Sequence, residues 1–143
     1  MSRIINPEGA GKDRKQLCRA IILAVRELMT KEAVDENCLD LAAFLAITLA
    51  KVDETIDVSV TAWEKKGYWI KADRFRMDWR WAGIYSQEIR KALLERDWNQ
   101  IALTSVKIAE KLKNEKIPVK HRLGTPWTGS YQRLLIEERS IDN

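Results

Sequence analysis

Leu39–Ala50, LDLAAFLAITLA, is the stretch whose reading decides the fold. It carries a single charge, Asp40, and its apolar residues run almost all the way round a helix of 3.6 residues per turn. A surface helix would show one apolar stripe; a helix apolar on every side is buried. This stretch is therefore the centre, and the rest of the chain is its coat. It is too short to span a bilayer, which needs about 20 apolar residues, so a soluble protein with no membrane partner is expected.

Downstream the pattern becomes one-sided without breaking. Leu41, Leu45, Leu49, Val52, Ile56, Val60 and Trp63 keep three- and four-residue spacing as far as Gly67, a helix stop. One helix over 37–66 follows, with Asn37 as its expected cap and a length of about 45 Å at 1.5 Å per residue.

No proline stands between residues 8 and 117, which suits further long helices. Leu17, Ile21, Ala24, Val25 and Leu28 predict an amphipathic helix over 12–30, after a flexible arm at 1–11. Over 68–96 the apolar residues split into two strips. Ile70, Met77, Trp81, Ile84 and Tyr85 form one; Phe75, Trp79, Ala82, Ile89 and Leu93 form the other, which predicts two neighbouring helices. Asp97 and Gln100 spell a capping box for a helix over 98–114. Pro118 stops that helix. The turn-rich segment with Trp127 predicts a C-terminal strap, and a short helix follows Ser130, all within 115–143. The expected fold is all-α, a single domain over 1–143. It is an antiparallel, roughly four-helix bundle with two long central helices and that strap.

An apolar fraction of 45% and a charged fraction of 32% over 143 residues suit one well-solvated globular domain. Cys18 and Cys38 both fall on apolar faces and read as buried free thiols, in keeping with a reducing cytoplasm. The opening MSRIINPEGAGK has no apolar core of a signal peptide. GAGK at 9–12 is not a phosphate loop, because Asn6 and Asp13 occupy positions that need Gly and Ser/Thr. The net charge is +4 but unevenly spread. Seven acids face one base over 32–57; six bases face two acids over 65–80; five bases face one acid over 111–122. Acidic and basic helices side by side neutralise each other, the plain reading of that pattern.

Catalytic chemistry has one candidate, the acidic ridge of the second helix. Asp53 and Asp57 share a face, and Glu54 and Asp57 spell ExxD, a spacing from which two carboxylates can meet one divalent cation. Upstream, Glu32 and Asp35 repeat that spacing in an expected loop. The pair of motifs resembles the signature of all-α nucleotide pyrophosphohydrolases of the MazG and dimeric dUTPase type. That resemblance implies a metal-dependent enzyme with Asp53, Glu54 and Asp57 as metal candidates. Zinc and di-iron sites want more His than the single His121.

Nucleic-acid binding has more candidates: Lys71, Arg76 and Arg80 on the aromatic third helix, and Lys116, Lys120, His121 and Arg122 beyond the fourth. Cations grip phosphate and rings stack on bases. The six tryptophans favour a third reading, since Trp69, Trp79 and Trp127 are more ring than four helices need to cover. The sequence is read as a non-catalytic interaction or assembly module, itself its partner as a homodimer or docked on another protein, with no cofactor. Nucleic-acid binding and the pyrophosphohydrolase are the alternatives.

Overall fold

The computed structural model describes residues 7–117 and 123–142. They fold into five helices: α1 (Pro7–Met29), α2 (Glu36–Lys65), α3 (Trp69–Leu94), α4 (Trp98–Lys111) and α5 (Ser130–Asp142). The all-α bundle with two long central helices is as the periodicity predicts. Boundaries differ from it at several helix ends, α3 for one running Trp69–Leu94 rather than 68–96. The expected arm is helical from Pro7, a residue whose fixed φ and missing N–H suit the first helical position. The cap of α2 is Asp35, not Asn37: its carboxylate accepts from the Cys38 N–H at 3.0 Å. The end of α4 is Lys111, three residues short of the expected 114.

Long-range hydrogen bonds give the directions of the helices. Arg14 near the start of α1 reaches Thr55 and Ser59 in the second half of α2. The Ser86 hydroxyl donates to the Ala46 carbonyl at 2.6 Å, and Arg76 pairs with Glu64. Thr104 donates to Glu88. Consecutive helices α1 to α4 thus run antiparallel. Ala42, Ala43, Leu45, Ala46 and Leu49 are wholly buried, so α2 is the centre its apolar half demands. Burying each leucine contributes roughly 1.5–3 kcal/mol.

Small residues set the closest approach. Ala82, Gly83 and Ser86 face α2, which is why a serine hydroxyl can reach a neighbouring backbone carbonyl. Gly67 at φ 81° closes the α2–α3 hairpin, and Arg96 at φ 57° closes α3–α4 with its guanidinium donating to the Tyr131 hydroxyl. Only half of the capping box forms. Asp97 accepts from the Gln100 N–H at 3.1 Å, but the Gln100 side chain turns forward to Thr104.

The C-terminal strap is pinned from α2. Asp40 accepts from the N–H groups of Gly129 and Tyr131 at 3.1 and 2.9 Å, capping α5 from another helix. Trp127 donates its indole N–H to Asn37, and Leu134 is fully buried. At the far end Arg90 donates to Glu137 and Glu138.

Candidate functional site

The acidic ridge divides in the structure. Glu54 and Asp57 are exposed, Glu64 is tied to Arg76 at 3.4 Å, and Asp53 is half-buried against α3. Upstream, Asp35 is spent as a cap and Glu32 is exposed in the α1–α2 link. Among the described residues no three His, Cys, Asp or Glu side chains group as a metal-holding set.

Asp53 has another neighbour. A Cβ built on Gly83 would sit 2.9 Å from its Oδ2, so the glycine makes room for the carboxylate. Burial, and next the Asp57 charge, raise the Asp53 pKa above the ordinary carboxylate value. A carboxyl whose folded pKa is raised loses stability as pH rises through its unfolded pKa of about 4 towards the folded value. Asp53→Asn should therefore raise the melting temperature at pH 7 and leave it unchanged near pH 3. Equal shifts at both pH values would contradict that origin. Gly83→Ala alone should gain little, because the helix propensity of alanine, about 1 kcal/mol over glycine, is offset by the contact. In an Asp53→Ala background the same change should add about 1 kcal/mol in urea unfolding.

The rings of α2 and α3 form a continuous ladder. Trp63 meets Phe75 edge-on at 4.8 Å, Phe75 meets Trp79 at 6.3 Å, and Trp79 stacks on Trp81 at 5.6 Å. Trp81 then meets Tyr85 at 5.8 Å. Cations cover it: Lys71 over Trp63 at 4.4 Å, Arg14 over Phe75 at 4.7 Å, and Lys107 over Tyr85 at 5.7 Å. Arg14 also donates to Thr55 and Ser59, and burial lowers its pKa. Sequence reasoning missed it, although its place one turn before Cys18 on the buried stripe was a signal.

The nucleic-acid candidates are scattered. Lys71 is engaged by Trp63 and Arg76 by Glu64, whereas Arg80 is exposed and has no ion pair among the described residues. Lys116 is exposed after α4; Lys120, His121 and Arg122 lie outside the described residues, as does Pro118. Lys65, Lys66 and Arg74 join Lys71 at the α2–α3 tip beside exposed Tyr68 and Trp69. The interface candidates also part. Trp79 is half-buried inside the ladder, and Trp127, 5% exposed, belongs to the core that anchors the strap. Trp69 alone of the three is on the surface, 59% exposed.

It has company there. The second strip of α3 finds α2 as expected, but the first finds cover only over its C-terminal half. α4 has 14 residues against the 26 of α3, and its side chains meet α3 at Tyr85 and Glu88. Beyond its reach Ile70 is 72% exposed and Met77 74%, and Ile84 at its edge is 48% exposed. These three recur every seven residues and share one outward face.

Both thiols are free and buried. Burial pushes Cys18 up to about 12, so it is a protonated core residue rather than a nucleophile. No helix among the described residues is long and apolar enough to cross a membrane. No known protein family, no curated protein and no solved structure matches the chain.

Proposed function

We propose that this chain is a non-catalytic assembly module of the cytoplasm that associates with a second copy of itself through the outer face of α3. One observation carries the reading: Ile70, Met77 and Ile84 share one outward face of α3 at two-turn spacing and are left open by the short α4. Exposed apolar side chains that share one face are the kind of surface that contact sites use. Exposed charged positions (Asp73, Arg74, Asp78, Arg80) lie between and beside the apolar ones.

Light scattering is the test, with an expected mass of twice 16.6 kDa. A single pair of helices buries less than the roughly 1,600 Å² of a standard interface, so the dimer should dissociate on dilution. Met77→Glu should raise the dissociation constant about 100-fold by placing a charge at the centre of the seam, with unchanged circular dichroism. A monomer at the highest soluble concentration would sink the reading.

A second reading rests on the α2–α3 tip, where Tyr68 and Trp69 stand exposed among Lys65, Lys66, Lys71 and Arg74. Rings and cations in that arrangement suit single-stranded nucleic acid. Fluorescence anisotropy with short DNA and RNA at two salt concentrations tests it: binding that weakens steeply with salt supports it, and flat traces at low salt refute it.

A further inference from the structure

The tip of the α2–α3 hairpin carries apolar residues and cations together. α2 ends at Lys65 and α3 begins at Trp69, with Gly67 at φ 81° between them. The Gly67 N–H donates to the Glu64 carbonyl at 3.0 Å and the Tyr68 N–H to the Trp63 carbonyl at 2.9 Å, so the turn is held by its own backbone. It presents three consecutive large residues to solvent: Tyr68 is 55% exposed, Trp69 59% and Ile70 72%. Lys65 and Lys66 stand exposed before them, and Lys71 and Arg74 after them. None of these four cations has an ion pair among the described residues. Glu64 and Arg76 hold each other, and the first turn of α3 has no acid. Asp73 is therefore the one acid from 64 to 76 left against the four.

We propose that this tip docks on an anionic lipid surface, with Tyr68, Trp69 and Ile70 seated where headgroups meet acyl chains and the four cations on the anionic headgroups. Charge complementarity selects a polyanion, and the apolar residues decide which one. Tyr and Trp concentrate at bilayer interfaces, where a ring with one polar edge meets both phases. Lys and Arg lay their stems along apolar surface while their charged heads reach outward. Ile70 is more exposed than either ring and offers no π-face on which a base could stack. The acyl boundary takes it as readily as it takes the rings. No described helix can cross a bilayer, and none is needed. An apolar contact and a basic cluster are two weak signals that hold a protein on a surface together and not singly. The expectation of no membrane partner rested on spanning length, which a surface contact does not require. The docking is independent of the assembly reading, whose Met77 and Ile84 lie further along α3.

Co-sedimentation of the full-length protein with vesicles tests it, using phosphatidylcholine alone and an equimolar mixture with phosphatidylserine. The protein should pellet with the mixed vesicles and stay in solution with the neutral ones. Pelleting with neither, or equally with both, would overturn the proposal. Lys65→Ala combined with Lys66→Ala should lower the partition coefficient about thirtyfold, roughly fivefold for each cation. Ile70→Asn should lower it about tenfold, with an unchanged melting temperature because the side chain is exposed. If Ile70→Asn leaves the partition coefficient unchanged, charge alone accounts for binding and the apolar seating is overturned. The same variant separates a lipid surface from single-stranded nucleic acid. A chain that ignores the mixed vesicles but binds short DNA or RNA, equally well with asparagine at this position, gives the tip to nucleic acid and refutes the lipid surface.

Discussion

Asp40→Ala is expected to lower the stability of the chain by about 3 kcal/mol, and to do so by releasing α5. Asp40 gives both carboxylate oxygens to N–H groups at the start of that helix, at 3.1 and 2.9 Å. Hydrogen bonds to a charged group contribute about 1.5–3 kcal/mol each, and removing the acceptor strands donors at a partly buried helix end. The anion also meets the positive end of the α5 dipole. What remains to hold the strap is Trp127 against Asn37, Leu134 in the core and the Arg90 pairs. A loss of this size corresponds to a fall in melting temperature of about 10 °C for a domain of this length. Hydrogen exchange locates the effect: amides of 129–142 should exchange faster while those of α1 keep their protection. Asp40→Asn, which keeps one acceptor oxygen, should lose about half as much. A melting temperature unchanged in the alanine variant would mean that packing alone holds the strap.

The same residue marks the line between what the sequence discloses and what it conceals. An all-round apolar run such as Leu39–Ala50 has one physical meaning, burial, and α2 is central as it predicts. Asp40 stands inside that run as its one charge, and nothing local to α2 explains it. Its partners are 89 and 91 residues away, a distance no periodicity reports. The third helix teaches a similar lesson. Two apolar strips correctly imply two neighbours, but the extent of cover depends on where α4 stops, and that end has no sharp signal: Lys111 is followed by residues equally able to continue a helix. The open residues Ile70 and Met77 lie on the part of α3 beyond the end of α4. Trp127, a lone ring in a polar segment, looks the same in sequence whether it faces a partner or its own core. The acidic ridge misleads for another reason. Spacing along one helix places Asp53 and Asp57 on a face, yet which oxygens meet depends on the neighbouring helix, where Gly83 receives Asp53.

Arg14 is the other residue whose loss should cost most. Its guanidinium joins three helices: Nε and a terminal nitrogen donate to the Thr55 hydroxyl and carbonyl at 3.2 Å, and the same terminal nitrogen donates to the Ser59 hydroxyl at 2.8 Å. The plane also lies over Phe75 at 4.7 Å and near Trp79 at 5.7 Å. No carboxylate pairs with it among the described residues. Its burial is therefore offset by dipoles and ring faces alone, a balance that separates three substitutions. Arg14→Ala removes every contact and leaves Ser59 and the rings without their cover, at a cost of about 3 kcal/mol. Arg14→Lys keeps the charge but loses the planar fork that bridges Thr55 and Ser59, and a compact ammonium is harder to desolvate. Arg14→Met keeps the stem against Phe75 and carries no charge to bury. The order of urea midpoints expected from these terms is wild type, then methionine, then lysine, then alanine, with Trp fluorescence changing most in the alanine variant. Lysine above methionine would mean that charge over the rings outweighs desolvation, and that the cation, rather than its shape, holds α1 to the hairpin.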